Sequence, residues 1–253
     1  MTEKKQEFKY PTETVDLPSG GKLYPEDSPL KNGKIELKYM TAKEEDILTS
    51  QNLIKKGLVI DKLLDSLILT KNVTSGDLVL GDKNAVMVAA RILAYGPEYN
   101  CEVTLDSGEK INHTFDLTDC PFKKCPEDVN ENNFEVDLPA SKKKIGFKIL
   151  TGKEESQITK ELDMIKKKVG SNVTPELTTR LKKVITSVDG ESERNTINLF
   201  VDNMLSRDSI ALRQKIAEVS PDINLEQEIE VEGETVRVDI PMTVNFFWPK
   251  TSG

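Results

Sequence analysis

Apolar and polar positions recur with two different periods along the chain, and each change of period marks a change of element. From 34 to 40, apolar and polar residues alternate strictly, which predicts a half-buried strand. Between 41 and 95, apolar residues recur at helical spacing instead, which predicts amphipathic helices. Gly57 is expected to separate two of these helices, and Gly96, followed by a proline, is expected to end the last one.

The strand period returns between 99 and 150, where alternating segments come in pairs. Two pairs surround short turn sequences, the first at 106–108 and the second at 139–144. A third pair lies within 225–240 and has Gly233 at its turn. Neighbouring strands joined by short turns form antiparallel hairpins, so the sequence predicts three of them.

Capping boxes mark the start of two helices. In each box a threonine hydroxyl accepts a hydrogen bond from a free helix amide, and a glutamate further along accepts one from the threonine in return. The two boxes are Thr41 with Glu44 and Thr151 with Glu154. The second box is expected to open a helix that runs to the neighbourhood of Lys168.

Helical patterning continues through most of the remaining chain. Thr174 followed by Pro175 predicts a helix that continues to about 188, with the proline at its first position. Patterning resumes over 193–219. Because the predicted strands form adjacent hairpins and do not alternate with helices, we expect an α+β fold in which a helical bundle packs with antiparallel β-hairpins. The expected regions are an N-terminal arm and first strand (1–40), a helical region (41–99), a β-hairpin region (100–150), and a helical region with a C-terminal β-hairpin and aromatic tail (151–253).

The charge and the apolar content of the chain disfavour some classes of binding partner. The 253 residues carry a formal net charge of -8, with 37% hydrophobic and 31% charged residues. A field of that sign repels phosphate backbones, so we expect no nucleic-acid partner. The longest apolar run is shorter than the roughly 20 residues of a membrane span, so we expect no membrane partner. A charged N-terminus without an apolar stretch and an odd number of cysteines favour a reducing cytoplasm.

Four residues have the chemistry of zinc ligands. Cys101, His113, Cys120 and Cys125 lie within one short stretch. Their spacing is poor, because no Cys-x-x-Cys pair presents two thiolates from one tight turn. Free cysteine is often buried, so the sequence favours buried or surface cysteines over a metal site and predicts no cofactor. The four residues remain the weak candidates for metal binding.

Catalytic motifs are absent from the sequence. His113 is the only histidine, so any histidine-based acid–base scheme must use it. There is no G-x-S-x-G element, P-loop or dinucleotide-binding fingerprint. Paired carboxylates such as Glu44 and Glu45 lie in predicted first helical turns, where they complement the helix dipole. We therefore expect a protein that is not an enzyme.

Arg91 interrupts the most apolar of the predicted helices and needs partners if it is buried. The carboxylate of Asp77 or Asp82 would supply one, and the resulting ion pair would fix this helix. The alternative is that the guanidinium grips a partner protein. Arg91 is therefore a candidate for partner binding.

Two further segments carry candidates for partner binding. Tyr24 follows a turn built around Gly20 and Gly21, and loops presented by a rigid scaffold often carry function. Phe247 and Trp248 belong to an aromatic cluster that either docks on the protein's own core or anchors another protein. Docking is the favoured interpretation, and both aromatic residues remain candidates for binding a partner.

Several segments resemble one family of tailed-phage proteins, in the same order along the chain. The matching segments are 17–25, 33–48, 81–83, 90–96, 98–99, 208–213, 221–223 and 246–249. The chain thereby resembles the T-even-type baseplate hub assembly proteins, which are hub subunits or hub assembly chaperones. Where that family carries Cys-x-x-Cys, this chain has Cys101 at the first place and no cysteine at the second. This departure from the family pattern implies hairpins held by ordinary turns instead of by zinc.

The resemblance implies a non-enzymatic role in phage tail morphogenesis. The protein would bind baseplate hub and tail proteins in the cytoplasm of the host bacterium and promote hub assembly in the manner of a chaperone. One alternative is a structural hub subunit that is retained in the baseplate of the virion tail. An alternative of another class is a zinc-stabilised binding module, or a metal-dependent enzyme, that uses the three cysteines and His113.

Overall fold

The structure of the protein, a computed structural model, describes residues 10–105, 107–169, 174–231, 233–242 and 244–247. The helices are α1 (Ala42–Thr49), α2 (Gln51–Lys55), α3 (Val59–Leu67), α4 (Leu80–Tyr95), α5 (Gly152–Val169), α6 (Glu176–Val184), α7 (Arg194–Asp202) and α8 (Ser206–Val219). The strands are β1 (Thr12–Asp16), β2 (Lys34–Lys38), β3 (Glu98–Thr104), β4 (Lys110–Asp116), β5 (Phe122–Lys123), β6 (Phe134–Asp137), β7 (Lys144–Phe147), β8 (Ile185–Val188), β9 (Asp222–Ile223), β10 (Glu226–Val231) and β11 (Glu234–Asp239). Short 3₁₀ helices lie at Pro29–Asn32, Ser75–Asp77, Leu117–Asp119 and Val244–Phe247.

The strands of the described residues pair antiparallel in small sheets. β3 pairs with β4, β6 with β7, and β10 with β11, so the three predicted hairpins are confirmed. β8 adds a third strand next to β7, while β1 pairs with β2 and β5 with β9. Helices packed with antiparallel hairpins confirm the predicted α+β fold.

The helix that was predicted to run from 174 to 188 is shorter than expected. Pro175 is its N-cap instead of its first residue, and the helix ends at Val184. The next residues form β8 because that segment adds a third strand to the β6–β7 hairpin, with Val188 opposite Ile145 on β7. Long-range pairing of buried β-branched residues thus replaces the last turns of the predicted helix.

Two helix breaks predicted at glycines are confirmed. Two further breaks were not predicted, one at Ser50 between α1 and α2 and one between α7 and α8. Gly57 and Gly96 have φ values of 65° and 84°, which favour glycine, and they separate α2 from α3 and end α4. The stretch expected to be helical over 193–219 is divided into α7 and α8. At the break, the side-chain amide of Asn203 donates to the Leu199 carbonyl at 2.8 Å and satisfies one free carbonyl at the end of α7.

The apolar stripes of the helices form the core. On α3, the buried positions recur at helical spacing, and the buried residues there are Val59, Leu63, Leu64 and Leu67. α4 is buried most deeply, and its buried residues are Gly81, Asp82, Ala85, Val86, Met87, Val88, Ala90 and Arg91. Two of these side chains are charged, so each needs hydrogen-bond partners inside the protein.

Both predicted capping boxes are formed, and each is extended by a lysine, Lys38 at the end of β2 and Lys148 directly after β7. Glu44 accepts from the amide of Thr41 at 2.9 Å and pairs with Lys38 at 2.7 Å. Glu154 accepts from the amide of its own N-cap threonine at 3.0 Å and pairs with Lys148. In each case the lysine lies 6 residues before the glutamate. The same arrangement therefore joins a strand end to a helix start twice.

Elements from distant parts of the sequence pack on one another. Gly81 at the start of α4 is so close to the chain before β9 that a Cβ there would lie 1.8 Å from the carbonyl oxygen of Pro221. Asn84 donates to the Asp222 carboxylate at 3.1 Å. The predicted regions thus share contacts, and their division into domains stays a prediction. No helix in the described part of the chain is both long and apolar enough to cross a membrane.

Candidate functional site

The segment 17–25 forms a tight turn that closes against the start of β2. Gly21 and Gly33 have φ values of 80° and 71°. A Cβ at Gly21 would lie 2.2 Å from the carbonyl oxygen of Lys31, and one at Gly33 would lie 2.7 Å from the carbonyl carbon of Gly20. Only glycine fits at these two positions, so the turn is fixed in one place.

The turn is tied to α4 through the buried carboxylate of Asp82. Ser19 donates to this carboxylate from its amide at 2.8 Å and from its hydroxyl at 2.6 Å, and the Tyr24 hydroxyl donates at 2.6 Å. The amide of Val79 donates to the Tyr24 oxygen at 3.1 Å. Asp82 is 0% exposed, and burial raises its pKa despite these donors. Burial and the neighbouring carboxylate also raise the pKa of Tyr24, which keeps its hydroxyl a donor.

Tyr24 also lines an open cleft of about 720 Å³ beside the turn. Acidic side chains outnumber basic ones around this cleft, namely Glu26, Asp128, Glu131, Glu135 and Glu218 against Lys31 and Lys215. Tyr24 is only 6% exposed and its hydroxyl serves the internal contact with Asp82. Its predicted role in partner binding stays a prediction.

Arg91 is 4% exposed and holds three segments of the chain together. Its Nε donates to the carbonyl oxygen of Phe246 at 3.0 Å, and its two terminal nitrogens donate to the carbonyls of Gly96 and Glu98 at 3.1 Å each. Burial lowers the pKa of Arg91 from its ordinary value. The guanidinium therefore acts as a clamp for backbone carbonyls, and its predicted role in gripping a partner stays a prediction.

The ion pair expected for Arg91 with Asp77 or Asp82 does not form. Asp82 accepts from Ser19 and Tyr24 instead, and Asp77 accepts from the amide of Thr74 at 2.9 Å. A helix rises by about 1.5 Å per residue, so Asp82 in the first turn of α4 is far from an arginine in the last turns. The prediction was wrong because it counted proximity in sequence without this rise.

The described part of the aromatic segment docks on the protein's own core. Phe246 and Phe247 are both 0% exposed, and their ring centroids lie 5.4 Å apart in an edge-to-face contact. Phe246 also meets the ring of Tyr99 edge-on at 4.9 Å. Burial raises the pKa of Tyr99 to about 12. Trp248 lies outside the described residues, so the partner-binding role of Phe247 and Trp248 stays a prediction.

The four weak metal candidates are engaged in separate ways. Cys101 is the register partner of His113 across the β3–β4 hairpin. The Cys120 sulfur accepts from the side-chain amide of Gln227 at 3.4 Å. Burial raises the pKa of both the Cys120 and the Cys125 thiols. Within the described ranges, no group of three or more His, Cys, Asp or Glu side chains is arranged to hold a metal ion.

Apolar side chains that remain exposed concentrate on the later helices. In the described residues, the exposed large apolar side chains are Leu69, Phe122, Met164, Leu177, Leu199, Leu205 and Ile210. Leu177 lines an apolar groove of about 220 Å³ between α6 and α8. This groove was not predicted from the sequence, because helical periodicity shows which face of a helix is apolar but not which part of that face stays uncovered.

Comparison with known proteins gives one decisive match. The family model described as T4 bacteriophage base plate protein matches residues 9–248. The chain belongs to this family. The resemblance found in the sequence is thereby confirmed at the level of a T4-type phage baseplate protein. No curated protein and no solved structure matches the chain.

In this baseplate protein, several of the segments that carried the resemblance meet in space as pairs. Residues 17–25 and 81–83 meet at Asp82, residues 90–99 and 246–247 meet at Arg91, and residues 81–83 and 221–223 meet at Gly81. These residues hold the fold together. The acidic cleft and the apolar groove are two of the concave surfaces that the described part of the baseplate protein presents to solvent.

Proposed function

We propose that the protein is a non-enzymatic phage tail morphogenesis factor that binds baseplate hub components and promotes hub assembly in the manner of a chaperone. The observation that carries the proposal is the family match over residues 9–248. Membership in a phage baseplate family implies contacts with other baseplate and tail proteins. The proposed place of action is the cytoplasm of the host bacterium.

The surface supports binding over catalysis. The apolar groove between α6 and α8 is open to solvent, with Leu177 43% exposed on its wall, and exposed apolar surface of this kind is common at protein–protein interaction sites. The buried titratable groups at Asp82 and Arg91 are occupied by internal hydrogen bonds. The net charge of -8 disfavours a nucleic-acid partner.

A structural subunit that stays in the virion is the second candidate, and the family description as a base plate protein favours it. The two candidates differ in one measurable property. A chaperone leaves the hub once assembly is complete, whereas a subunit remains in the finished tail.

The test is affinity purification of the tagged protein from infected cells, with mass spectrometry of its partners and of purified virions. We expect hub proteins in the purified fraction and no copy of the protein in virions. A copy number in virions that matches other baseplate subunits would assign the structural role. Recovery of neither hub nor tail proteins, relative to the tag alone, would overturn the proposed function.

A further inference from the structure

An apolar groove opens between α6 and α8. Its apolar walls are Leu80, Ile149, Leu177, Leu181, Val184 and Ile216. Leu177 is 43% exposed, so this wall of the groove is partly open to solvent. Gly81 and Pro221 also line the groove, and their close contact leaves no space for this part to repack. The groove is thus a built feature of the fold.

The rim of the groove is more basic than the chain as a whole. The charged residues that line it are Lys148, Arg180 and Arg213 on the basic side and Glu155 and Asp222 on the acidic side. Arg180 holds Glu155 in a two-pronged ion pair, one arm of which measures 2.9 Å. Lys148 forms an ion pair with Glu154. Most of the rim charge is therefore neutralised within the protein.

Arg213 is the rim cation that has no carboxylate partner among the described residues. Its Nε donates to the Ser209 carbonyl of its own helix at 3.4 Å, a long hydrogen bond that leaves the two terminal nitrogens for another group. The side chain is exposed on α8 beside Ile216. An arginine in this position has the donor geometry that pairs with a carboxylate.

We propose that this groove docks a segment of a partner protein that inserts one large aliphatic or aromatic side chain and places an aspartate or glutamate against Arg213. The inference rests on the proposed function, because it names the surface that binds an assembly partner. A buried apolar anchor with a polar rim is the arrangement that dominates binding energy at protein interfaces.

The size of the groove fits a side chain better than a small molecule. Its volume is about 220 Å³, whereas pockets for drug-sized ligands span roughly 300–1,000 Å³. The positive charge of Arg213 favours acidic residues next to the apolar anchor of the partner segment. A partner segment with basic residues there would be repelled by Arg213. The acidic groups of the rim would not attract it, because Glu155 already pairs with Arg180 and Asp222 accepts from the side-chain amide of Asn84.

The experiment pans the purified full chain against a phage-displayed library of random linear peptides. The enriched sequences are expected to combine Leu, Ile, Phe or Trp with a neighbouring Asp or Glu. The consensus peptide is then synthesised and its Kd is measured by fluorescence anisotropy. Leu177→Gln and Arg213→Glu should each weaken binding by about tenfold or more. Panning on the Arg213→Glu variant should lose the preference for acidic residues.

Matched controls separate the groove from general surface effects. Lys160→Glu changes the net charge by the same amount at an exposed lysine on α5 that does not line the groove. Leu199→Gln removes an even more exposed leucine on α7, away from the lining. Both controls should leave the Kd of the peptide unchanged. All four substituted residues are exposed, and circular dichroism verifies that each variant is folded.

Three results would overturn the groove as this docking site. They are no enrichment of an acidic–apolar consensus, equal binding of the peptide to wild type and to both groove variants, and a concentration-dependent dimer that Leu177→Gln abolishes. The last result would assign the groove to a second copy of the chain.

The same variants distinguish this inference from the proposed function. If wild type recovers hub proteins from infected cells and the groove variants recover them equally well, the function stands and the groove is refuted. If wild type recovers no hub or tail proteins, the proposed function fails, and peptide binding still decides the chemistry of the groove.

Discussion

Asp82 and Arg91 lie near opposite ends of α4 and are buried charges without an ionic partner among the described residues. A buried charge is costly unless hydrogen bonds compensate for it. Asp82 receives donors from Ser19 and Tyr24, and Arg91 donates to three backbone carbonyls. Asp82 therefore holds a segment near the N-terminus of the described chain against α4, and Arg91 holds a segment near its C-terminus against the same helix.

Replacing Asp82 with alanine should destabilise the protein strongly. The substitution removes the acceptor of two hydroxyls and one amide that stay buried, which lowers the free energy of unfolding by roughly 3 kcal/mol or more. Asp82→Asn keeps an acceptor oxygen and the side-chain shape, so it should cost clearly less. Urea unfolding followed by circular dichroism measures both. A loss below about 1 kcal/mol for Asp82→Ala would contradict this account of the anchor.

Arg91→Lys should release the aromatic segment even though it keeps the charge. An ammonium lacks the planar fork that reaches the carbonyls of Phe246, Gly96 and Glu98 together, so we expect a loss of about 2 kcal/mol. Limited proteolysis should then cleave the chain near 240–247 faster than in wild type. Arg237→Lys is the control, because Arg237 makes only exposed ion pairs. Equal cleavage of both variants would show that Arg91 does not hold this segment.

Two helices of the protein begin in the same way, with a capping box whose glutamate also pairs with a lysine. Burial alone would raise the pKa of Glu44, but hydrogen bonds from Lys38 and Thr41 outweigh it and lower that pKa. The same balance lowers the pKa of Glu154, with Lys148 supplying the largest favourable contribution. A carboxylate with a lowered pKa adds stability above its ordinary pKa, and this stability is lost as the pH falls through the folded-state value.

Glu44→Gln should therefore weaken the protein at neutral pH and lose its effect in acid. We expect a loss of about 1 kcal/mol or more at neutral pH, since glutamine cannot pair with the Lys38 ammonium. The difference between wild type and variant should shrink as the pH drops below the ordinary pKa of glutamate. Urea titrations at several pH values measure it, and Glu36→Gln on the exposed side of β2 is the control. A difference that stays constant with pH would refute the ionic contribution.

Local signals in the sequence predicted the elements whose ends are decided locally. Thr41 with Glu44 marked the start of α1, and Gly57 and Gly96 marked helix ends, because capping and positive φ act within one turn. β8 was missed because Val188 becomes a strand residue only through its pairing with Ile145 on β7. The two-residue strands β5 and β9 were missed for the same reason, since neither has a period of its own.

At the scale of the whole molecule, contacts between distant segments join the predicted regions. β5 pairs with β9, Ser19 reaches Asp82, and Arg91 reaches Phe246. Tyr24, Arg91 and Phe247 were named from their chemistry, and docking of the aromatic cluster on the core was the favoured interpretation. The contacts of Tyr24 with Asp82 and of Arg91 with the Phe246 carbonyl were not predicted. Burial of a polar group depends on which segments fold over it, and one sequence read locally contains no measure of that.

Gly81→Ala tests the contact between α4 and the chain before β9. The added methyl would lie 1.8 Å from the Pro221 carbonyl oxygen, so the helix must move away from its neighbour. We expect the free energy of unfolding to fall by about 3 kcal/mol. Gly76→Ala is the control, because its Cβ would have its nearest contact at 3.5 Å, and it should change stability by less than about 1 kcal/mol. Thermal unfolding measures both, and equal shifts would contradict the close contact.

Unfolding should be a single transition, because contacts such as the β5–β9 pair and the hydrogen bond from Ser19 to Asp82 join the predicted regions. Cys101, Cys120 and Cys125 are buried in the native state, so their reaction with a thiol reagent reports on the hairpin region. Their reactivity should appear over the same range of urea concentration in which the helical circular dichroism signal disappears. Thiols that become reactive well before the helices melt would show that residues 100–150 unfold separately.

The clamp at Arg91 also sets an order of events during synthesis. The guanidinium and the Phe246 carbonyl are 155 residues apart in the chain. At about 5–20 residues per second, the arginine is incorporated roughly 8–31 s before its acceptor is made. Throughout that interval Arg91 near the end of α4 lacks one of its three acceptors, and Tyr99 lacks the ring of Phe246 that packs against it. Translation therefore produces an open intermediate first, and the last-made aromatic segment closes it.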